Sequence, residues 1–469
     1  MPRVSTRYAL ALILLLAVVL RLYGINWDQG GLFHPDERAF LSQVYNIEVP
    51  EGDEWSNVLE PDLSTLNPGS FNWGSLPHYS LKAVQYAVAP YKWMSLFELR
   101  YAGRALSALS DTVTVFLVFL IGRAVFSSRV GLLAALLSAI AVQQIQLSHF
   151  FAVETFMTTF IVATIFYSLR VAQEGRRRDS VFAGVMFGFA VATKFSVLPL
   201  GLALVLSHLI YSISTKGDRF DSDGIRSDAA AGRRWDSFKN IVITAVAVLV
   251  TLVITQPYMF LDWGTYQESV TKESEMVRRI IDFPYTRQYV DTQKYFYQFW
   301  QIGTYGLGPV LGMFGWAALA AGGIYALRTR RKFDLIIFSY VVPYLLITGG
   351  FEVKFLRYML PIVPFMVIYS ARLLEWAAVW VKEYQPNLRF AVPAATALLL
   401  AATVHYALSY ETIYASDHPA QQTSQWFKDN APEGSLILKE HWEEGIPGLP
   451  RYFREEMELY NPDIEFKFT

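Results

Sequence analysis

The short stretch Leu32–Arg38 carries the side chains in this sequence that are best suited to chemistry. It places His34, Asp36 and Glu37 close together, directly after the first long apolar segment. Pro35 restricts the backbone of its neighbours and lacks an amide donor, which predicts a rigid turn. Two adjacent carboxylates on such a turn could act as an acid–base site. The alternative is that both acids only stabilise the start of the next helix.

A further acid, Glu154, stands alone in an apolar part of the chain. It is the only acidic residue between Asp111 and Glu174. A carboxylate at a membrane boundary is costly and usually has a function, so Glu154 joins Asp36 and Glu37 as a candidate catalytic residue. Because it lies at the start of a predicted helix, stabilisation of that helix is the alternative.

Cationic side chains recur in segments predicted to lie on the same face as these acids. Lys194 falls between two predicted helices, where the positive-inside rule does not favour a lysine. Arg357 precedes a later helix, and arginine binds phosphate in a bidentate geometry. The pattern predicts an anionic ligand, and snorkelling of Lys194 to the membrane interface is the alternative. The predicted substrate-binding residues are His34, Lys194, Arg357, Tyr358, Arg287 and Arg104.

The composition indicates a membrane protein. Of the 469 residues, 53% are hydrophobic and 17% are charged, whereas soluble domains carry about 25% charged residues. The 40 basic and 41 acidic residues nearly balance, so nothing indicates nucleic-acid binding. The absence of cysteine excludes disulfides, thiolate metal sites and cysteine nucleophiles.

Runs of about 20 apolar residues predict about eleven transmembrane helices. The predicted spans are 8–25, 104–124, 130–149, 153–172, 180–197, 198–214, 240–257, 305–327, 333–350, 356–376 and 390–408. The first is interpreted as a retained helix and not a removable signal peptide. Basic residues concentrate in alternate connections, which predicts a cytoplasmic N-terminus. The odd number of spans then puts the polar candidates and the C-terminal segment outside.

The predicted organisation is a transmembrane module, residues 1–408, followed by a small extracytoplasmic segment, residues 409–469. The module has a large outer loop at 26–103, which contains the Asp36 motif, and a second one at 258–303. Apolar stretches near Arg38–Tyr45 and Tyr79–Met94 in the first loop predict helices lying in the membrane interface.

Two smaller segments carry predictions of their own. The connection 215–239 is rich in Asp, Ser, Arg and Gly, which predicts a disordered cytoplasmic loop. Near the C-terminus, Ser424–Asn430, a Pro-Glu-Gly turn and Ser435–Leu438 predict a helix, a turn and a strand.

The order of these motifs resembles that of the GT-C glycosyltransferases. More closely, a first helix followed by His34-Pro35-Asp36-Glu37 resembles the protein O-mannosyltransferase and aminoarabinose transferase group. The large first loop, an acid after the third helix (Glu154), the Ala192-Thr193-Lys194 segment and the segment Arg357–Pro361 follow in the same order. The likeness covers roughly residues 5–440, by order of motifs and not by identity.

The resemblance implies an all-α polytopic membrane protein with the GT-C fold. It implies transfer of a sugar from a polyprenyl-phosphate donor to an acceptor hydroxyl of a protein, lipid or glycan, with inversion. Asp36 would be the base and Glu37 would orient the acceptor or bind nearby. Lys194 and Arg357 would hold the leaving phosphate. Many relatives have Asp where this chain has Glu154, which leaves its role open.

The resemblance leaves the cofactor and the location as expectations. Some relatives bind a divalent metal and others need none, so no cofactor is predicted, although a divalent metal stays open. One histidine with scattered acids is not a metal-binding pattern. The expected location is the plasma (inner) membrane, with membrane lipids as further partners.

Other functions also fit a polytopic chain with outer polar groups. A lipid or solute transporter or flippase would use the same cluster, although transporters tend to contain internal repeats and broken helices, and no fixed-period repeat occurs here. A lipid-linked glycan polymerase or ligase would not require Asp36. A structural scaffold would give the outer polar groups no reason to converge.

Overall fold

The computed structural model describes residues 5–213, 227–432, 434–440 and 453–457. These residues form eighteen α-helices and two short strands. The helices are α1 Thr6–Leu22, α2 Pro35–Asn46, α3 Ser75–Val88, α4 Leu96–Val125, α5 Ser128–Ala139, α6 Val142–Ser148, α7 Val153–Glu174, α8 Arg177–Val191, α9 Gly201–Ile213, α10 Ser227–Thr255, α11 Tyr258–Leu261, α12 Trp263–Val277, α13 Phe296–Gln301, α14 Pro309–Thr329, α15 Lys332–Gly349, α16 Val363–Tyr384, α17 Ala391–Ala415 and α18 Pro419–Asn430. The strands are β1 Leu436–Glu440 and β2 Phe453–Met457.

The chain is a multi-span membrane protein. Among the described residues, eight helices are long and apolar enough to cross a membrane, or nine if α5 and α6, which meet at 55°, form one bent span. Helices α1 and α8 coincide with two more predicted spans, but they have only 17 and 15 residues. Each of the eleven predicted spans thus corresponds to a helical segment. By length and composition, eight or nine of these segments could cross a membrane.

The two predicted interface helices are present as α2 and α3. Pro35 occupies the first turn of α2, where its missing amide is harmless. The buried face of α2, Phe40, Leu41 and Val44, packs in one apolar cluster with Leu81 of α3 and with residues of α4 and α7. The first outer loop is therefore a folded layer on the end of the helix bundle.

The prediction of a disordered loop at residues 215–239 is wrong for the second half of that range, because α10 already begins at Ser227. The segment 228–231 contains three alanines, which favour helix, and the rings of Trp235 and Phe238 stack on the same helix. The prediction of disorder, which was based on the content of Asp, Ser, Arg and Gly, underestimated this tendency to form a helix. Residues 215–226 of the predicted loop lie outside the described residues.

The C-terminal segment has the predicted helix and strand, and Glu433 of the predicted turn lies outside the described residues. Helix α18 precedes β1, and β1 pairs in parallel with β2, Leu436 opposite Phe453. Helix α17 continues to Ala415, beyond the predicted domain boundary at residue 408. The small parallel pair is the exception to the predicted all-α character.

The order of the helices puts the candidate site at one end of the bundle. Helix α7 begins, α8 ends and the span containing α16 begins at this end. Helix α7 packs against α4, α8 and α9, which places its first turn inside the bundle. Backbone amides of Gly74 and Leu76 donate to the carbonyls of Thr193 and Ala192, at 2.9 and 3.1 Å. Helix α3 is thereby attached directly to the segment that carries Lys194.

The close approach at Gly74 predicts that this position accepts no side chain. A Cβ at Gly74 would lie 2.0 Å from the carbonyl oxygen of Ala192, so Gly74→Ala must separate two backbones, at a cost of about 1–3 kcal/mol. We expect a clearly lower melting temperature in detergent. Gly264→Ala is the control, because nothing lies within 4 Å of its added Cβ. Equal melting temperatures for the two variants would contradict this prediction.

Candidate functional site

The Leu32–Arg38 motif forms the start of α2. The ring Nδ1 of His34 accepts the backbone N–H of Glu37 at 3.2 Å and so caps the helix. Asp36 and Glu37 both lie in the first turn, where carboxylates interact favourably with the helix dipole. Their side chains nevertheless differ completely in surroundings, because consecutive residues on a helix point about 100° apart.

Glu37 is enclosed in a buried ion-pair network. Arg104 donates from Nε and Nη2 to the two carboxylate oxygens of Glu37, at 2.9 and 2.6 Å. The same guanidinium donates to both oxygens of Asp28, at 3.1 and 2.7 Å, and to the carbonyl of Ile25. The backbone amide of Phe151 also donates to Glu37, at 2.8 Å. These three charged side chains are fully buried.

This network gives Glu37 and Arg104 a structural role that differs from the roles predicted for them. Every hydrogen-bonding direction of the Arg104 guanidinium is used within the protein, so it has no donor left for a substrate. Both oxygens of Glu37 are likewise occupied, and water does not reach them. The geometry favours Glu37 as the residue that fixes α2, with Asp36 as the accessible acid of the pair.

Asp36 belongs to a second cluster, one member of which, Lys194, lines the cavity described below. Its carboxylate forms an ion pair with Arg357 at 2.9 Å. Arg357 also lies 3.6 Å from Glu154, and Lys194 donates to Glu154 at 3.2 Å. Four predicted residues from four distant parts of the sequence therefore form one chain of alternating charge. The carboxylate of Asp36 is 27% exposed, whereas that of Glu37 is not exposed at all.

Aromatic rings hold the two cations of this cluster. The ammonium of Lys194 lies 4.9 Å from the ring centroid of Tyr358, and the guanidinium of Arg357 lies 4.0 Å from that of Phe355. The Tyr344 hydroxyl donates to the carbonyl of Tyr358 and fixes that segment. Cation–π contacts of this kind orient a cation without neutralising its charge. Lys194 is thus held in an ion pair and does not simply reach for the interface.

The same geometry bears on Glu154. It lies in the first turn of α7, so stabilisation of that helix remains compatible with its position. Its side chain is only 2% exposed and contacts Lys194 and Arg357. A buried carboxylate between two partly exposed cations leaves those cations with donors directed outwards, which suits an anionic ligand.

His34 borders the cluster as a neutral side chain. Burial lowers the pKa of His34, the carboxylate of Asp36 opposes this shift, and the charge of Arg357 acts in the same direction as burial. Because Nδ1 accepts a backbone N–H, the ring proton of the neutral form is on Nε2. The ring stacks on Phe150 at 4.3 Å. His34 therefore offers one N–H donor near Asp36.

Arg287 stands apart from the cluster. It lies in a short 3-10 helix, Pro284–Tyr289, and forms an ion pair with Asp282 at 2.9 Å, with its side chain half-exposed. The neighbouring Tyr289 packs its ring edge-on to Phe355, at 5.4 Å. This segment thus lines the approach to Arg357, while the charge of Arg287 is directed to Asp282.

The C-terminal segment packs directly on the loop between α1 and α2. The ring of His418 stacks on Phe33 at 4.2 Å and lies 5.5 Å from Trp27. Gln29 hydrogen-bonds to Asp417. The junction between α17 and α18 therefore packs against and supports the segment that precedes Asp36. His441 and Trp442, part of a Glu-His-Trp motif in the sequence, lie outside the described residues.

A cavity of about 600 Å³ opens beside the charged cluster. Lys194 and Tyr358 line it, together with Glu273 of α12 and Gln256 at the end of α10. The volume falls in the range of about 300–1,000 Å³ that is typical of ligand sites. Sequence reasoning missed Glu273 and Gln256. The helical spacing of Tyr266, Val270, Glu273 and Val277 would have revealed one acid on an otherwise apolar face.

The cavity is lined by both apolar and polar side chains. Met157, Val191, Leu198 and Ile347 provide an apolar wall, and Glu273, Gln256 and Lys194 provide polar groups. Within the described ranges, no three His, Cys, Asp or Glu side chains converge in a way that could hold a metal ion. The site combines acidic side chains, two cations and a cavity with both apolar and polar lining residues.

Comparison with protein families gives a match over part of the chain. Residues 94–222 match the model of the family described as dolichyl-phosphate-mannose-protein mannosyltransferase. The matched range contains Arg104, Glu154 and Lys194. A search of curated proteins found no match.

Comparison with solved structures covers nearly the whole chain. The apo oligosaccharyltransferase of Archaeoglobus fulgidus superimposes with a TM-score of 0.58 at 13% identity, over 94% of this chain and 63% of its own. ArnT of Cupriavidus metallidurans bound to undecaprenyl phosphate superimposes with a TM-score of 0.56 at 14% identity, over 97% of this chain and 86% of its own. The chain thus spans less than two thirds of the archaeal enzyme's length.

These matches confirm the resemblance that the motifs indicated. The fold is the GT-C fold, as predicted, and the matched segment is that of a glycosyltransferase family.

The two charge clusters predict opposite consequences for removing their arginines. Arg104→Gln leaves the buried Glu37 without a counter-charge and leaves Asp28 with only Arg100, at 3.8 Å, which costs about 3–5 kcal/mol. Arg357→Gln leaves Glu154 paired with Lys194 and Asp36 in contact with solvent, so we expect little change in stability. Thermal unfolding in detergent measures both. Equal melting temperatures of the two variants would show that the two arginines contribute equally to stability.

Proposed function

We propose that this protein transfers a sugar from a polyprenyl-phosphate donor to an acceptor hydroxyl, with Asp36 as the general base. The observation that carries the proposal is the chain of contacts Asp36–Arg357–Glu154–Lys194 at the edge of the cavity. It combines an accessible carboxylate with two cations at a membrane boundary. The GT-C fold and the mannosyltransferase family match support the same reaction class.

In the proposed reaction, the acceptor oxygen attacks the anomeric carbon of the sugar. The bond from that carbon to the phosphate oxygen breaks, and polyprenyl phosphate leaves with the electron pair. Asp36 takes the acceptor proton. Attack from the face opposite the phosphate inverts the anomeric configuration.

Arg357 would contribute both to the proton transfer and to the departure of the phosphate. Its guanidinium pairs with Oδ2 of Asp36, which leaves the other carboxylate oxygen for the acceptor proton. A guanidinium has several N–H donors in one plane, so it can contact Asp36 and a phosphate together. With Lys194 it would stabilise the charge that develops on the leaving phosphate.

The cavity supports a lipid-linked donor. Its many apolar side chains suit a polyprenyl chain, and Lys194, where the phosphate would bind, is among the lining residues. Two of the structures with a similar fold contain such lipids: ArnT is bound to undecaprenyl phosphate, and the archaeal oligosaccharyltransferase is in complex with a dolichol phosphate.

We place the site on the extracytoplasmic face of the plasma (inner) membrane. The connections at the opposite end of the bundle carry the basic residues that the positive-inside rule assigns to the cytoplasm. These residues are Arg123, Arg129, Arg176, Arg177, Arg178, Arg328, Arg330, Arg331 and Lys332. The N-terminus would then be cytoplasmic and the C-terminal segment extracytoplasmic.

The base is tested by Asp36→Asn in a transfer assay with labelled polyprenyl-phosphate sugars. We expect the rate to fall about 100-fold to 10,000-fold, the usual contribution of general base catalysis, with unchanged melting temperature. Asp62→Asn, an exposed acid of the same loop, is the control. Full activity of Asp36→Asn would refute the assignment of the base. Flux of the lipid without any transfer product in the wild type would support a flippase instead.

The phosphate site is tested by binding of polyprenyl phosphate without a sugar. Loss of a charge-assisted hydrogen bond costs about 1.5–3 kcal/mol, so Lys194→Ala and Arg357→Ala should each raise the Kd about 10- to 100-fold. The exposed Lys92 provides the control variant Lys92→Ala. Unchanged affinity in both site variants would exclude the proposed phosphate position.

A further inference from the structure

Glu273 is a carboxylate without a protein partner. It faces the cavity from α12, and it makes no hydrogen bond or ion pair with any of the described residues. Burial raises the pKa of Glu273; the nearby charge of Lys194 lowers it and that of Asp36 raises it. The side chain is partly exposed, so a ligand in the cavity has access to its hydrogen-bonding oxygens.

Helix α12 is fixed on several sides, so Glu273 does not point into the cavity by chance. Asp262 caps its start, and the amide of Phe71 in the first outer loop donates to Ser269 at 3.2 Å. At its other end, the carbonyl of Val277 accepts the amides of Glu352 and Val353. Contacts along the whole helix thereby hold its orientation towards the cavity.

A second polar group on the same cavity also lacks a partner. The side-chain oxygen of Gln256 is buried and accepts no hydrogen bond from the described residues, and the residue is only 2% exposed. Buried polar atoms are normally paired, and an unpaired one indicates a ligand or an ordered water. Glu273 and Gln256 come from different segments of the chain and converge on one cavity.

We propose that Glu273, assisted by Gln256, recognises hydroxyl groups of the sugar that is transferred. This inference rests on the proposed function, because it places the donor phosphate at Lys194 and Arg357. The sugar attached to that phosphate would occupy the polar part of the cavity, where a carboxyl group and an amide can both donate to and accept from hydroxyls. Glu273 would then set donor specificity, while Asp36 performs the proton transfer.

The test separates binding of the sugar from binding of the lipid phosphate. The Kd of a polyprenyl-phosphate sugar and that of the bare polyprenyl phosphate are measured for wild type, Glu273→Ala and Glu273→Gln. The sugar is the one that wild type transfers from a panel of hexose, pentose and amino-sugar donors. Glu268→Gln, on the exposed face of the same helix, is the control.

We expect Glu273→Ala to weaken binding of the sugar-bearing donor about 10- to 100-fold, as for loss of a hydrogen bond to an ionisable group. Its affinity for bare polyprenyl phosphate should stay at the wild-type value. Glu273→Gln should retain most of the donor affinity, because an amide still hydrogen-bonds to hydroxyls. A parallel loss in kcat/KM for the donor should accompany the Glu273→Ala change.

Three results would overturn the inference. Unchanged donor affinity in Glu273→Ala would remove Glu273 from sugar recognition. An equal loss for the donor and for bare polyprenyl phosphate would assign Glu273 to the phosphate site or to folding. A loss in Glu273→Gln as large as in Glu273→Ala would indicate a cationic sugar and not a hydroxyl contact. If wild type binds neither lipid, the proposed function itself fails.

Discussion

The guanidinium of Arg104 joins the loop after α1 to the first turn of α2, and the position of Asp36 depends on that contact. Desolvating charges is expensive, and a buried ion pair is tolerated only when its hydrogen bonds are complete. Here Asp28, Glu37 and a backbone carbonyl complete them. Because Glu37 is fixed in this way and Pro35 stiffens the turn, Asp36 is left on the side of α2 that faces Arg357.

Two adjacent acids thus have different tasks for a simple geometric reason. Consecutive helical residues point about 100° apart, so Glu37 enters the protein while Asp36 stays partly exposed beside Arg357. The buried network gives rigidity, and the partly exposed cluster gives reactivity. A carboxylate that must accept a proton needs access to its substrate, which the burial of Glu37 denies.

Asp36 and Glu154 lie in the first turns of helices, and the segments that carry the two cations of their cluster are attached to rigid elements. The segment carrying Lys194 is bonded to the start of α3, and the segment carrying Arg357 is bonded to α15 through Tyr344. The junction between α17 and α18 supports the segment that precedes Asp36. Charges that must hold a leaving group in place act best when they do not reorganise during the reaction.

The sequence by itself determined the membrane class, the helical segments and the candidate residues Asp36, Glu154, Lys194 and Arg357. Spanning helices require long apolar runs, and polar side chains beside such runs are conspicuous because they are costly. Their order along the chain sufficed for the resemblance that the comparisons confirm. The number of spans was harder to determine from apolar runs, because α1 and α8 are short.

Only the tertiary structure decided which of these charges are accessible. Periodicity shows which residues share a helix face, but it does not show which other element that face meets. For this reason the sequence predicts that Arg104 and Arg287 bind substrate. In the structure, Arg104 neutralises buried acids and Arg287 forms an ion pair with Asp282. Glu273 was overlooked because the cavity that it faces exists only after α10, α12 and α15 have packed together.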